Sequence, residues 1–147
     1  MTQPIFAIAR SGMDVEWQRV EVIAANLANL NTTRTADGTP YTAKLLISGP
    51  RFSTLLGGVA GAGQAGTQTA AAGVQVLGLE NSKAAPKRVL DPAHPHADAT
   101  GLVTYPNVDH VHEMTSMIAA NRVYEANLAV FTSARGMFSR AMELGAK

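Results

Sequence analysis

From Met114 to Met142 the chain sets Met114, Met117, Asn121, Tyr124, Leu128, Phe131, Arg135, Phe138 and Met142 at alternating spacings of three and four, with no break. Four consecutive heptads of this kind specify an α-helix that presents one stripe to a partner. A second row, Ala120, Val123, Asn127, Val130, Ala134, Met137, Ala141 and Leu144, keeps the same alternation and is apolar except at Asn127. The helix therefore carries a large-residue seam beside a seam containing alanine. Small residues let helix axes approach closely, whereas large ones fill the space between more separated helices. A helix from about Val108 to Leu144 would be about 55 Å long at 1.5 Å per residue. One small domain cannot cover that length.

The other end of the chain repeats the theme. Between Ile5 and about Leu30 there is no proline and one glycine, and Phe6, Met13, Trp17, Val20, Ala24 and Leu27 recur at spacings of three, four or seven. Ile8, Val15 and Val22 add a second row seven apart, so this helix also has more apolar surface than one seam needs. It is expected to stop near Asn29-Leu30-Asn31, where asparagine tolerates the left-handed conformation common at helix C-termini and Thr32-Thr33 lowers propensity.

Between the helices the composition changes. Asp37-Gly38-Thr39-Pro40 reads as a turn and Tyr41 to Ile47 as a strand, with further short strands at Val74 to Leu79, Lys87 to Leu90 and Leu102 to Tyr105. Gly57 to Gly73 is a Gly/Ala/Gln/Thr run that reads as a mobile loop, and no internal repeat is present. The predicted fold is mainly α with a small β insertion, its two long terminal helices packed antiparallel as a coiled coil. Its parts are an N-terminal helix region over 1–33, a β-rich insertion over 34–106 holding the Gly-rich loop 57–73, and a C-terminal helix region over 107–147.

Composition limits what such a chain can be. At 147 residues it fits one domain, but aromatics are only 5% and the 46% apolar fraction is weighted toward small side chains that each bury little area. A self-sufficient compact core is not expected. A net charge of +1, with the basic residues scattered, gives no extended field for nucleic acid or an anionic membrane. The absence of cysteine excludes disulfides and thiolate metal sites. The opening residues Met1 to Arg10 have no basic region and too short an apolar run for a signal peptide. The longest charge-free stretch, Phe52 to Leu79, is broken by seven glycines and cannot be a membrane helix.

The residues that suit metal chemistry are His94 and His96 with Asp98, and Asp109, His110, His112 and Glu113. Their spacing argues against a site. His110 and His112 point to different faces of a helix start, and His94 and His96 flank a proline in a loop. Asp109 and Glu113 are accounted for by capping and the helix macrodipole. No nucleotide-binding, nucleophile-elbow or metalloprotease motif occurs, so neither catalytic residues nor a cofactor or metal are predicted. Tyr124, Phe131 and Phe138 are read as packing residues because their helical spacing is strict. Asn121, Asn127 and Arg135 are the unusual seam members, of the kind that fixes register and partner choice.

Local sequence patterns add a family resemblance. Ser11-Gly12-Met13, Arg19 and Asn26-Leu27-Ala28-Asn29 are similar to the N-terminal signature of the flagellar axial and rod proteins. Asp91-Pro92, His94-Pro95, Ala97-Asp98 and Gly101 resemble the family's loop before its last strand, and Tyr105-Pro106-Asn107-Val108 followed by Glu113-Met114 favours the proximal rod type. Asn121-Arg122, Tyr124, Ala126-Asn127 and Leu144-Gly145 resemble the C-terminal signature. The resemblance implies a structural subunit of the bacterial flagellar basal-body rod that assembles helically and transmits torque across the periplasm. It implies export through the flagellar type III apparatus without a cleaved signal peptide. The implied partners are copies of itself, other rod proteins, the export apparatus and the membrane-ring base, with no nucleic acid and no small-molecule substrate.

On this reading the assembly interface is expected to use Trp17, Val20, Asn26, Leu27, Asn29, Met117, Asn121, Tyr124, Asn127, Leu128, Phe131, Arg135 and Phe138. Leu128→Asp or Phe131→Asp would then block assembly and leave soluble expression intact. Two other classes compete: a free-standing helical adaptor or export chaperone, which would form stable oligomers alone, and a histidine-based metal enzyme, which would need the four histidines to converge.

Overall fold

The computed structural model describes residues 4–50 and 73–145. Apart from Gly73, the Gly-rich run expected to form a mobile loop lies outside the described residues. Two helices dominate, α1 over Pro4–Ala28 and α2 over His110–Gly145. Between them come β1 (Lys44–Pro50), β2 (Val74–Asn81), β3 (Lys87–Leu90) and β4 (Leu102–Tyr105). The strands pair as two small sheets, β1 with β2 and β3 with β4, so the fold is mainly α with a β insertion.

Local chemistry sets the element ends. Asp109 Oδ1 accepts the amides of Val111 at 2.9 Å and His112 at 3.3 Å, and its carbonyl accepts the Glu113 amide at 2.9 Å, so α2 opens at His110 on an aspartate cap. At the other helix the expected left-handed asparagine is not found, since no described residue other than glycine has a positive φ. Instead Asn29 Nδ2 donates to the Ala25 carbonyl at 2.8 Å, and the Leu30 and Thr32 amides reach back three residues. The side chain and tightened turns satisfy the last carbonyls, so no left-handed residue is needed. β1 starts later than the sequence reading put it. The Tyr41 amide is already bonded to the Thr32 carbonyl and is not free for a ladder.

The chain divides into two compact units, and each draws on both helices. One unit comprises Met1–Gln18, Ser48–Leu77 and Ala120–Lys147. In it the Phe6 and Phe131 rings meet edge to face with centroids 5.2 Å apart, and Trp17 lies against Tyr124 at 6.4 Å. As numbers rise along α1 they fall along α2, which is the order of antiparallel segments. Ala9, Val15, Ala120 and Ala134 are buried. Ser11 is buried too, its Oγ donating to the Ile8 carbonyl at 2.7 Å and accepting the Val74 amide at 3.2 Å, which ties the start of β2 to α1.

The other unit comprises Arg19–Ile47 and Gly78–Ala119. Its β3 and β4 are antiparallel, Lys87 opposite Tyr105 and Leu90 opposite Leu102, with Val103 completely buried. The connection between them is organised by Asp98. Its Oδ1 accepts the amides of Thr100 and Leu102 and the Thr100 hydroxyl, at 2.8, 2.9 and 2.6 Å. Gly101 follows with φ +77°, a conformation open to glycine and strained for other residues. A two-stranded hairpin is marginal alone, and these polar anchors supply the order that its small area does not.

Candidate assembly interface

The buried and half-buried positions of α2 are Glu113, Met117, Ala120, Tyr124, Asn127, Phe131 and Ala134, with Ser116 beside them. This line alternates four and three, but it is neither of the rows read from the sequence. It runs between them, taking Met117, Tyr124 and Phe131 from the large row and Ala120, Asn127 and Ala134 from the small one. The apolar arc is wide enough that the rest of the chain covers its centre and leaves both margins open.

One margin holds Val123, Val130, Met137 and Leu144, seven apart and 47%, 51%, 62% and 79% exposed. Ala119, Ala126, Ser133 and Arg140 are also exposed and fill the intervening three-and-four positions, so this margin holds no carboxylate. The other margin holds exposed Met114, Leu128 and Met142, interrupted by the exposed polar residues Asn121 and Arg135. Phe138 is exposed as well, beside an open apolar groove of about 270 Å³ lined by Ile5, Phe6, Ala134, Met137, Phe138 and Ala141. On α1, Trp17 is largely exposed while Val20 and Leu27 are half-buried.

The polar residues expected at the interface separate into different roles. Asn127 is half-buried against Gly12, where an added Cβ would come within 2.8 Å of its Nδ2. Asn29 caps its own helix. Asn26 is buried, and its carboxamide bonds to Lys44, Tyr41 and Glu113. Glu113 is buried as well, so its position reflects more than the helix macrodipole that explained it in the sequence. Burial first and the Glu113 carboxylate second hold the Tyr41 phenol above its usual pKa. The sequence singled out Asn26 through the Asn26-Leu27-Ala28-Asn29 pattern, but nothing in it identified the partners.

The histidines do not converge. The His94 and His96 rings pack edge to face at 5.3 Å, His94 also lies against Tyr105, and His96 Nδ1 is 2.8 Å from the Thr33 hydroxyl. His110 and His112 stand exposed in the first turn of α2. Among the described residues no three His, Cys, Asp or Glu side chains are grouped to hold a metal ion, and no helix is long and apolar enough to cross a membrane.

Comparison with known proteins matches residues 6–34 to the family described as flagella basal body rod protein, and residues 99–144 to that described as flagellar basal body rod FlgEFG protein C-terminal. The chain is 37% identical to the flagellar basal-body rod protein FlgC of Escherichia coli O6:H1, over 96% of each chain. It is 36% identical to the protein of that name from Borreliella burgdorferi, over 93% of each, and 33% identical to the one from Bacillus subtilis, over 94% of each.

Proposed function

The chain belongs to the FlgC-type family of flagellar basal-body rod proteins, and from that premise we propose how its helices build it into the rod. It is a structural, non-catalytic subunit. Copies assemble helically with one another and with related rod proteins, and the resulting rod spans the periplasm and carries torque. α1 and α2 pair as an antiparallel coiled coil through Val20, Leu27, Met117, Tyr124, Asn127 and Phe131. Trp17, Asn121, Leu128, Arg135 and Phe138 meet neighbouring subunits. The chain reaches this place through the flagellar type III export apparatus without a cleaved signal peptide, and the membrane-ring base is a further contact.

The observation that carries the reading is the uncovered row Val123, Val130, Met137 and Leu144 on a helix whose in-chain contacts use a different line. A seven-residue repeat of exposed apolar side chains matches a partner helix lying nearly parallel to α2 and is a poor match to a small molecule. The exposed polar residues Asn121 and Arg135 on the opposite margin discriminate among such partners, because an unpaired amide or guanidinium at a closed seam is unfavourable.

A photo-crosslinking residue at Val130 tests this reading in motile cells. Cross-links from Val130 to rod subunits are expected, and a control probe at Asp37, in the turn after α1, should give far fewer. Equal yields at both positions, or cross-links only to soluble proteins, would remove the outward row from the interface.

A further inference from the structure

Asn26 lies in the last turn of α1 and is 1% exposed, and every hydrogen-bonding position on its carboxamide is taken by another part of the same unit. Nδ2 donates to the Lys44 carbonyl at 2.9 Å and to Glu113 Oε1 at 3.2 Å. Oδ1 accepts the Lys44 amide at 2.9 Å and the Tyr41 hydroxyl at 2.9 Å. The two bonds to Lys44 are the pair that a hydrogen-bonded residue on a neighbouring antiparallel strand would make, so the side chain stands in for one residue of a strand. Its fourth bond reaches the first turns of α2, 87 residues away in the chain. One amide thus joins the end of one helix, the entry to the β insertion and the start of the other helix.

We propose that this carboxamide is a coupling device, through which the start of β1 and the first turns of α2 become ordered together and are lost together. The physical basis is the asymmetry of buried hydrogen bonds, in which leaving one unmade costs more than making it gains. If Lys44 and Tyr41 leave, the buried amide keeps one bond of four and loses its fixed orientation toward Glu113. If the first turns of α2 leave, the amide loses one of its two acceptors and opens to water, which competes for the bonds to Lys44. Neither element reaches its full stability without the other. In this unit the closing of α1 on α2 and the docking of the insertion therefore reinforce each other, a cooperativity that helix propensity alone would not impose. The exposed margins of α2 play no part, so the coupling stands apart from rod assembly.

Hydrogen exchange on the full chain reads the coupling across the device. Tyr41→Phe disturbs it from the insertion side and Glu113→Ala from the helix side. Each is expected to speed exchange at the Lys44 amide and at the amides of Met114 to Met117 by the same factor, about fivefold. Glu113→Gln keeps the accepting oxygen and should restore wild-type rates at Lys44. The amides of Val123 to Phe131, in the other unit, should be unchanged throughout. Acceleration confined to the amides beside each substitution would overturn the proposal, and so would unchanged rates in Tyr41→Phe. Should Glu113→Ala fail to fold, Tyr41→Phe still decides, because its effect is read at α2.

Discussion

Gly12 and Asn127 show how much can turn on a missing side chain. Replacing glycine by alanine inside a helix ordinarily stabilises it by about 0.8–1 kcal/mol. At Gly12 the new Cβ would lie 2.8 Å from Asn127 Nδ2 and 3.1 Å from its Cγ, so the carboxamide must move before that gain is realised. Gly12→Ala is expected to stabilise the chain by less than that, whereas in an Asn127→Ala background the same change should give the full gain of about 1 kcal/mol, as read by urea denaturation. Tyr41 gives a second test. Its phenol pKa is raised by burial and by Glu113, so the neutral form is favoured in the folded state. That contribution is complete below the unfolded value of about 10 and is lost as pH rises through the raised folded value. Stability should fall at alkaline pH, and Tyr41→Phe should remove this part of the fall. The family resemblance singled out Asn26 but not its work, because hydrogen-bond partners 18 and 87 residues away leave no local pattern.

Among the elements, α2 was the most legible, and its faces were the least. The three-and-four alternation gave a helix from about Val108 to Leu144, and the structure places it at His110–Gly145 once Asp109 has capped it. Alternation cannot say which part of a wide apolar arc the rest of the chain covers, and the covered line proved to be a blend of the two rows. The distinction changes an experiment. Leu128 is exposed, whereas Phe131 packs on Phe6. Leu128→Asp should therefore leave the unfolding free energy within about 0.5 kcal/mol of wild type and act on assembly, while Phe131→Asp should destabilise the chain by several kcal/mol, as read by urea denaturation. The loop before β4 was recognised from its proline, aspartate and glycine pattern, and its chemistry is now specific. The Thr100 hydroxyl first, then the Leu102 and Thr100 amides, hold the Asp98 carboxyl below its ordinary pKa. Its contribution is present above the unfolded value of about 3.9 and disappears as pH falls through the lowered folded value. Acid titration of the β3–β4 amide signals should reveal this, and Asp98→Asn should flatten it.

For the whole molecule, the composition already argued against a self-sufficient core, since the apolar residues are mostly small and few are aromatic. Among the described residues the buried hydrophobic ones agree with that, being Ala9, Val15, Ile23, Ala43, Val103, Ala120 and Ala134, while much larger side chains stay exposed along α2. A chain that keeps Met137, Met142 and Leu144 in water has apolar surface to bury elsewhere. The family signatures near both ends were readable because each is short and local, whereas the margins that assembly would use emerged only when the covered line was known. The account rests on the outward row, and the most direct measurement is the content of basal bodies purified from cells that carry Val123→Asp/Val130→Asp as their only copy. The account predicts that the variant is folded and present in whole cells at the wild-type level, is absent from the purified basal bodies, and leaves the cells non-motile. Basal bodies holding the variant at wild-type amounts, in cells that swim normally, would contradict it.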